Sequence, residues 1–200
     1  MKTCLTVALS LVLLVSVADS AGAAMGSCVG VLAPGSYANI HVPAGAQCIL
    51  SSGTAINGNV DVKGSLRAQA VIIGGNVTKD GPGFLTLVGS SVKGNVEVRG
   101  ARILVAYYSI NGNLTVESAW GGDIVANVLG GNMEIKKNNA LLTISGNTIG
   151  GNLNVEGNSA QVDISGNRIS GNVDCKNNAL PPKGWGNAVT GNHSGQCAPF

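Results

Sequence analysis

Ile144-Ser145-Gly146-Asn147-Thr148-Ile149-Gly150-Gly151-Asn152-Leu153-Asn154-Val155 returns, twenty residues on, as Ile164-Ser165-Gly166-Asn167-Arg168-Ile169-Ser170-Gly171-Asn172-Val173-Asp174-Cys175. An offset that holds through a whole phrase marks a short-period repeat, and it outranks local propensity. Gly-Asn pairs extend the period in both directions, starting at Gly58, Gly75, Gly94, Gly112, Gly131, Gly151, Gly171 and Gly191, with spacings of 17, 19, 18, 19, 20, 20 and 20 residues. The pairs open alternating segments such as Val60-Asp61-Val62, Val96-Glu97-Val98, Leu114-Thr115-Val116 and Met133-Glu134-Ile135. A second alternating segment follows about ten residues later, as in Leu85-Thr86-Leu87, Ile103-Leu104-Val105 and Leu142-Thr143-Ile144. Alternation of apolar and polar residues with period two is the pattern of a strand with one buried face. A third apolar position lies two residues before each Gly: Ile56, Ile73, Val92, Ile110, Leu129, Ile149, Ile169 and Val189. The 30 glycines and the lack of a 3.6-residue pattern exclude helices.

Coils of 17 to 20 residues are too short for a strand plus a helix, and the leucine consensus of leucine-rich repeats is missing. The spacing predicts an all-β, single-domain parallel β-helix of about seven coils over 54–192, roughly 33 Å long at ~4.8 Å per coil. Charge supports the register. One outward column reads Asp61, Thr78, Glu97, Thr115, Glu134, Asn154, Asp174, so acids are separated by neutral residues. The next reads Lys63, Asp80, Arg99, Glu117, Lys136, Glu156, Lys176 and changes sign at every step. Such a ladder penalises any slip that would set like charges side by side. Lys79 falls on an inward position and precedes Gly81-Pro82-Gly83, which predicts that its strand ends early. The coil at Trp120-Gly121-Gly122 is also irregular.

Asparagines align as well: Asn138, Asn158 and Asn178 after the first strand, and Asn147, Asn167 and Asn187 after the second. Stacked amides can bond along the rod and satisfy turn backbone. Asn76-Val77-Thr78, Asn113-Leu114-Thr115 and Asn192-His193-Ser194 match the glycosylation sequon. The first two asparagines belong to the repeating Gly-Asn step, which accounts for them without a sugar.

Residues 1–23 read as a signal peptide: Lys2 precedes the apolar run from Leu5 to Ala18, and Ala21-Gly22-Ala23 has the small-x-small form of a cleavage site. Residues 24–53, with Ala33-Pro34-Gly35 and Val42-Pro43-Ala44-Gly45, read as an N-terminal cap, and 193–200 as a C-terminal cap. Removing the signal discards Cys4 and leaves four cysteines. The economical pairing is Cys28–Cys48 and Cys175–Cys197, one disulfide per end, among three possible connectivities. The expected location is extracytoplasmic, either secreted or periplasmic.

The Gly-Asn-Val-x-Val phrases resemble those of parallel β-helix proteins generally. The runs from Ile56 to Gly64 and from Val92 to Gly100 are similar to bactofilins, the polymer-forming bacterial scaffold family. The ending Gly191-Asn192 with Gly195-Gln196-Cys197 resembles secreted bacterial Gly/Asn-repeat proteins. A signal peptide and cysteine-closed ends set this chain apart from bactofilins, so their end-to-end polymerisation is not carried over.

Function is less legible. A net charge of +2 and 11% charged residues give no polyanion-binding surface, which argues against nucleic acid. A β-helix lyase would need a basic group beside a carboxylate cluster, and Glu97 with Arg99 and Arg102 is the one candidate. One acid makes a poor calcium site, since calcium takes six or more oxygens. His41 and His193 lie in opposite end regions. No metal and no cofactor are expected. Tyr107, Tyr108 and Trp120, in neighbouring coils, are candidates for an aromatic platform under sugar rings. The expectation is a secreted, non-enzymatic structural or surface-binding protein, its partner an extracellular polysaccharide or a cell surface. The alternative is a polysaccharide lyase or glycoside hydrolase, and self-association through an imperfectly capped end is a further possibility.

Overall fold

Branched apolar residues in alternation favour extended backbone, and a residue in the left-handed region after many of the first and second strands turns the chain. Two columns of such residues set the corners. One follows the first strand of each coil and includes Gly100, Ser118, Lys137, Gly157 and Asn177; the other follows the second and includes Ala70, Gly89, Tyr107, Ala126, Gly146 and Gly166, with φ between 52° and 64°. A computed structural model describes residues 25–200. The expected signal peptide, with Cys4, lies outside them.

Three strands per coil stack into three parallel sheets. Sheet A has ten strands, from Met25–Ser27 to His193–Gly195. Sheet B has nine, from Gly30–Val31 to Lys183–Trp185, and sheet C has nine, from Gly35–Tyr37 to Ala188–Val189. The chain is therefore an all-β parallel β-helix of nine complete coils, numbered here from the N-terminus, with the last strand of sheet A beginning another turn. This exceeds the seven expected because residues 25–53 pair in register with the rest: Met25–Ser27 with Asn39–Val42, and Gln47–Leu50 with Ser65–Gln69. Their repeat is hidden because Ala38-Asn39 stands where later coils have Gly-Asn.

The charge columns lie in the predicted register, Asp61 opposite Thr78, Thr78 opposite Glu97, and so on to Asp174. Cross-coil ion pairs form at three of the six steps of the second column: Lys63–Asp80 at 3.0 Å, Arg99–Glu117 at 3.7 Å and Lys176–Glu156 at 3.8 Å. At the other steps the cation turns to an acid on its own strand, as Lys136 does to Glu134 at 2.6 Å.

Val, Ile and Leu from all three sheets fill the interior as continuous stacks. Lys79 stands among them, between Val62 and Val98, and is 0% exposed. Its strand was expected to end early, yet it runs through Asp80. The reason is local: the Lys79 ammonium donates to the carbonyls of Asp80, Gly81 and Pro82 at 3.1, 2.7 and 3.0 Å, so the loop closes over the charge. Burial pushes the Lys79 pKa below its ordinary value, with the Asp80 carboxylate opposing that shift.

Asparagine ladders run along the corners. Asn127, Asn147, Asn167 and Asn187 form one buried ladder between sheets B and C. Asn138, Asn158, Asn178 and then Gln196 form the other, between A and B. Asn147 is typical: its Oδ1 accepts the Asn127 backbone N–H and amide at 2.9 Å each, and its Nδ2 donates to the Ile124 carbonyl and to Asn167 Oδ1. The expected amide stacking is thus present, extended by Asn127 and closed by Gln196. A third ladder, on the surface, comes from the Gly-Asn pairs. The backbone N–H of each asparagine from Asn59 to Asn192 donates to the side-chain oxygen of its equivalent one coil earlier, at 2.8 Å throughout. That oxygen explains the invariable glycine. A Cβ at Gly131 would lie 2.4 Å from Asn113 Oδ1 and 2.8 Å from the Gly112 carbonyl. The sequon residues Asn76 and Asn113 are both members of this ladder.

Disulfides sit near both ends, Cys28–Cys48 joining coils 1 and 2 and Cys175–Cys197 tying the C-terminal tail to coil 9. Gly184 takes the inward place opposite Ile164, and the Phe200 ring packs where its side chain would have been. Two disulfides in so small a domain are the pattern of an oxidising, extracytoplasmic compartment. Among the described residues no helix is long and apolar enough to cross a membrane.

Candidate binding face

The outer surfaces of the sheets treat charge differently. On sheet A and its adjoining corner, every carboxylate has a cationic partner: Asp61 with Lys63 at 3.9 Å beside a 2.9 Å hydrogen bond to His41, Asp80 with Lys63, Glu97 with Arg99, Glu117 with Lys137 at 3.0 Å, Glu134 with Lys136, and Glu156 and Asp174 with Lys176. The hydrogen bond from Lys63 holds the Asp80 carboxyl below the usual range, and that from Lys137 does the same for Glu117. On sheet B, among the described residues, Arg67, Arg102, Asp123, Asp163 and Lys183 make no ion pair. Asp163 lies directly opposite Lys183 on the next strand, yet its Oδ1 has no hydrogen-bond partner.

These charges surround a groove. The outward column through the centre of sheet B reads Arg67, Thr86, Leu104, Asp123, Thr143, Asp163, Lys183. Beside it, Phe84 is opposite Arg102. Two adjoining depressions, of about 330 and 310 Å³, share Arg102 and Asp123. Phe84, Thr86 and Leu104 line the first; Trp120, Leu141 and Thr143 border the second, with Gly121 and Gly122 exposing backbone. Gly122 enters sheet B at an inward position, where a Cβ would fall 1.8 Å from the Ile103 carbonyl oxygen. Its φ of 144° and the 102° of Gly121 also favour glycine. The irregular coil read in the sequence is thus a groove, with Trp120 at its edge, half exposed.

The aromatic platform does not form. Tyr108 is 2% exposed, and burial pushes its hydroxyl pKa upward. Tyr107 is 70% exposed because it occupies the left-handed corner, which sends successive side chains outward and then inward. The strand Arg102–Ala106 separates Tyr107 from the Trp120 corner, a span of ~17 Å. The trio Glu97, Arg99 and Arg102 is divided too. Glu97 and Arg99 lie on sheet A and bond to each other, while Arg102 lies beyond the corner, on sheet B. What the sequence missed is Asp123, with Phe84, Leu141 and Thr143 around it. Aligning the second strands as the first strands were aligned would have exposed this column.

Among the described residues no group of three or more His, Cys, Asp or Glu side chains is placed to hold a metal ion. The fold defines the class, a disulfide-closed parallel β-helix. No family model, curated protein or solved structure matches the chain, so the likeness to bactofilins and to Gly/Asn-repeat proteins rests on the motifs alone.

Proposed function

We propose that this chain is an exported, non-catalytic β-helix that binds an extracellular polysaccharide or a cell surface through sheet B. One observation carries the reading: unpaired charges, an exposed indole and an open groove coincide on that face, while the charges of sheet A are consumed in ion pairs. A pyranose ring offers apolar C–H faces and equatorial hydroxyls. Trp120 suits the first; Asp123 as acceptor and Arg102 as donor suit the second. The coil rise of ~4.8 Å is close to the length of one extended, equatorially linked sugar, so a glycan lying along the rod axis meets equivalent backbone at each unit. The signal-like N-terminus and the two disulfides support export.

Incubating the purified protein with a panel of plant, bacterial and animal polysaccharides tests this reading, scoring depletion of protein from solution and release of new chain ends. Depletion without release is the expected result, weakened at least ~10-fold by Trp120→Ala and by Arg102→Ala. Release of chain ends sensitive to substitution on sheet B would overturn the non-catalytic reading. Depletion unaffected by both substitutions would remove this face as the site.

A further inference from the structure

We propose that the sheet B face also pairs with the same face of a second copy of this chain, forming an antiparallel dimer with two-fold symmetry. The inference rests on reading sheet B as the binding face, and it names a second copy as the occupant when no glycan is bound.

The argument lies in the order of residues along the face. From coil 3 to coil 8 the central column runs Arg67, Thr86, Leu104, Asp123, Thr143, Asp163. Place a two-fold axis parallel to the strands, in the plane between two apposed faces and midway between coils 5 and 6. The operation sets coil 3 against coil 8, coil 4 against coil 7 and coil 5 against coil 6. Arg67 then faces Asp163 of the second copy and Thr86 faces Thr143. Arg102 comes diagonal to Asp123, and in the adjoining column Phe84 meets Leu141. Both copies contribute each pairing, as an isologous interface requires. All four charges left unpaired on sheet B within coils 3 to 8 of the isolated chain gain an opposite charge, and Lys183 falls opposite Ile49 rather than opposite another cation.

Other arrangements lack this match. Moving the axis onto coil 6 brings Arg67 opposite Lys183. Turning the axis along the rod stacks Arg67 on Arg67 and Asp123 on Asp123, and like charges in contact cost several kcal/mol. The apolar contribution comes from Phe84 against Leu141, with Val88 and Val125 in the third column, none of which is fully buried in the single chain, while Leu104 faces Asp123 across the axis and leaves that carboxylate to the diagonal Arg102. Six coils of four- and five-residue strands offer on the order of 1,000 Å² of total buried area, the low end for a specific interface. The dimer therefore dissociates on dilution, with a Kd of roughly micromolar order.

Sedimentation velocity over a concentration series tests the inference, with Arg67→Asp, Asp163→Arg and the double variant beside the unmodified protein. Each single reversal sets like charges together in both halves of the interface and is expected to raise Kd by roughly 100-fold or more. The double variant restores the pairing with inverted sign and should return Kd to within about 10-fold of the original. Both residues point outward, and circular dichroism checks that the variants fold. A second measurement needs no variant: salt raised from ~0.05 to ~0.5 M must weaken the dimer. A monomer at every concentration up to ~100 µM overturns the proposal, as does a dimer indifferent to the reversals and to salt. A monomeric protein that still depletes polysaccharide would overturn the dimer and leave the binding reading standing. A charge-sensitive dimer that retains no polysaccharide would support the dimer and remove the glycan.

Discussion

Coils 3 to 5 and coils 7 to 9 share three sheets and one interior, yet they close their corners by different means. In the later coils two buried amide ladders run through the corners, and consecutive Gly-Asn pairs are always twenty residues apart. In the earlier coils the equivalent places hold Val71, Ser90 and Ala101, one hydroxyl does the work of an amide, and the spacing varies from 17 to 19. A ladder works only if each amide stands directly over the last, so insertion of one residue breaks two hydrogen bonds. An apolar corner asks only that volume be filled, and it tolerates a change of length. The strict repeat in the sequence is therefore the mark of buried hydrogen bonds, while the loose repeat marks packing.

Breaking a ladder should give the largest effect. Asn147→Leu leaves the Ile124 carbonyl and the Asn127 N–H and amide without that partner, removes one of the two donors to the Asn167 oxygen, and is expected to cost about 3–5 kcal/mol in denaturant unfolding. The matching change in the early coils, Ser90→Ala, orphans the Val71 N–H and should cost about 1–2 kcal/mol. Equal costs would end the distinction between the two halves.

Opening the C-terminal end comes next. Cys175→Ala with Cys197→Ala releases a crosslink of sequence separation 22 and loosens the tail that carries Gln196, the last rung of one ladder. A loss of about 3 kcal/mol is expected, with hydrogen exchange rising first at Asn178 and Asn158. Exchange rising first in coils 2 to 4 would contradict this polarity.

Lys79 is the polar exception of the early half. Lys79→Ala removes a buried stem and should cost about 2–4 kcal/mol, whereas Lys79→Met keeps the volume, releases three carbonyls to a surface loop, and should cost about 1 kcal/mol or less. Because the folded pKa of Lys79 lies below its ordinary value, its charge penalises the fold at neutral pH, and stability attributable to it rises as pH climbs from the folded toward the ordinary value. Thermal melts of the unmodified protein against Lys79→Met between pH 8 and 11 would show the unmodified protein gaining stability relative to the variant as pH rises.

Acid should have the smallest effect. The carboxyl pKa values of Asp80 and Glu117 are depressed, so their contribution is complete above the ordinary carboxylate value and is lost as pH falls through the depressed one. Both pairs are exposed, so roughly a few tenths of a kcal/mol each is at stake. Amides do not titrate in this range, and the ladders of coils 6 to 9 should hold through the same titration, which site-resolved hydrogen exchange at pH 3 and pH 6 would check.

The amino-acid sequence by itself determined the period, the parallel stacking and the register; of the three possible cysteine connectivities it made one disulfide per end the economical one, and the structure decided for it. All of these are one-dimensional relations between a residue and its equivalent one coil away: Asp61 with Thr78, Lys63 with Asp80, Asn147 with Asn167. It did not show that the stretch with Ala38-Asn39 is already a coil, because the glycine that marks the later coils is absent there. Only the tertiary structure decided which way each corner residue points. Tyr107 and Tyr108 look alike in sequence, but the left-handed turn at Tyr107 sends one ring out and the next in. Arg99 and Arg102 stand three residues apart, and the corner between them places one in the ion-pair ladder of sheet A and the other in the open groove of sheet B. A corner's direction depends on hydrogen bonds received from the coils on either side, as Tyr107 N–H donates to the Val125 carbonyl, so it can be read only once those coils are in place.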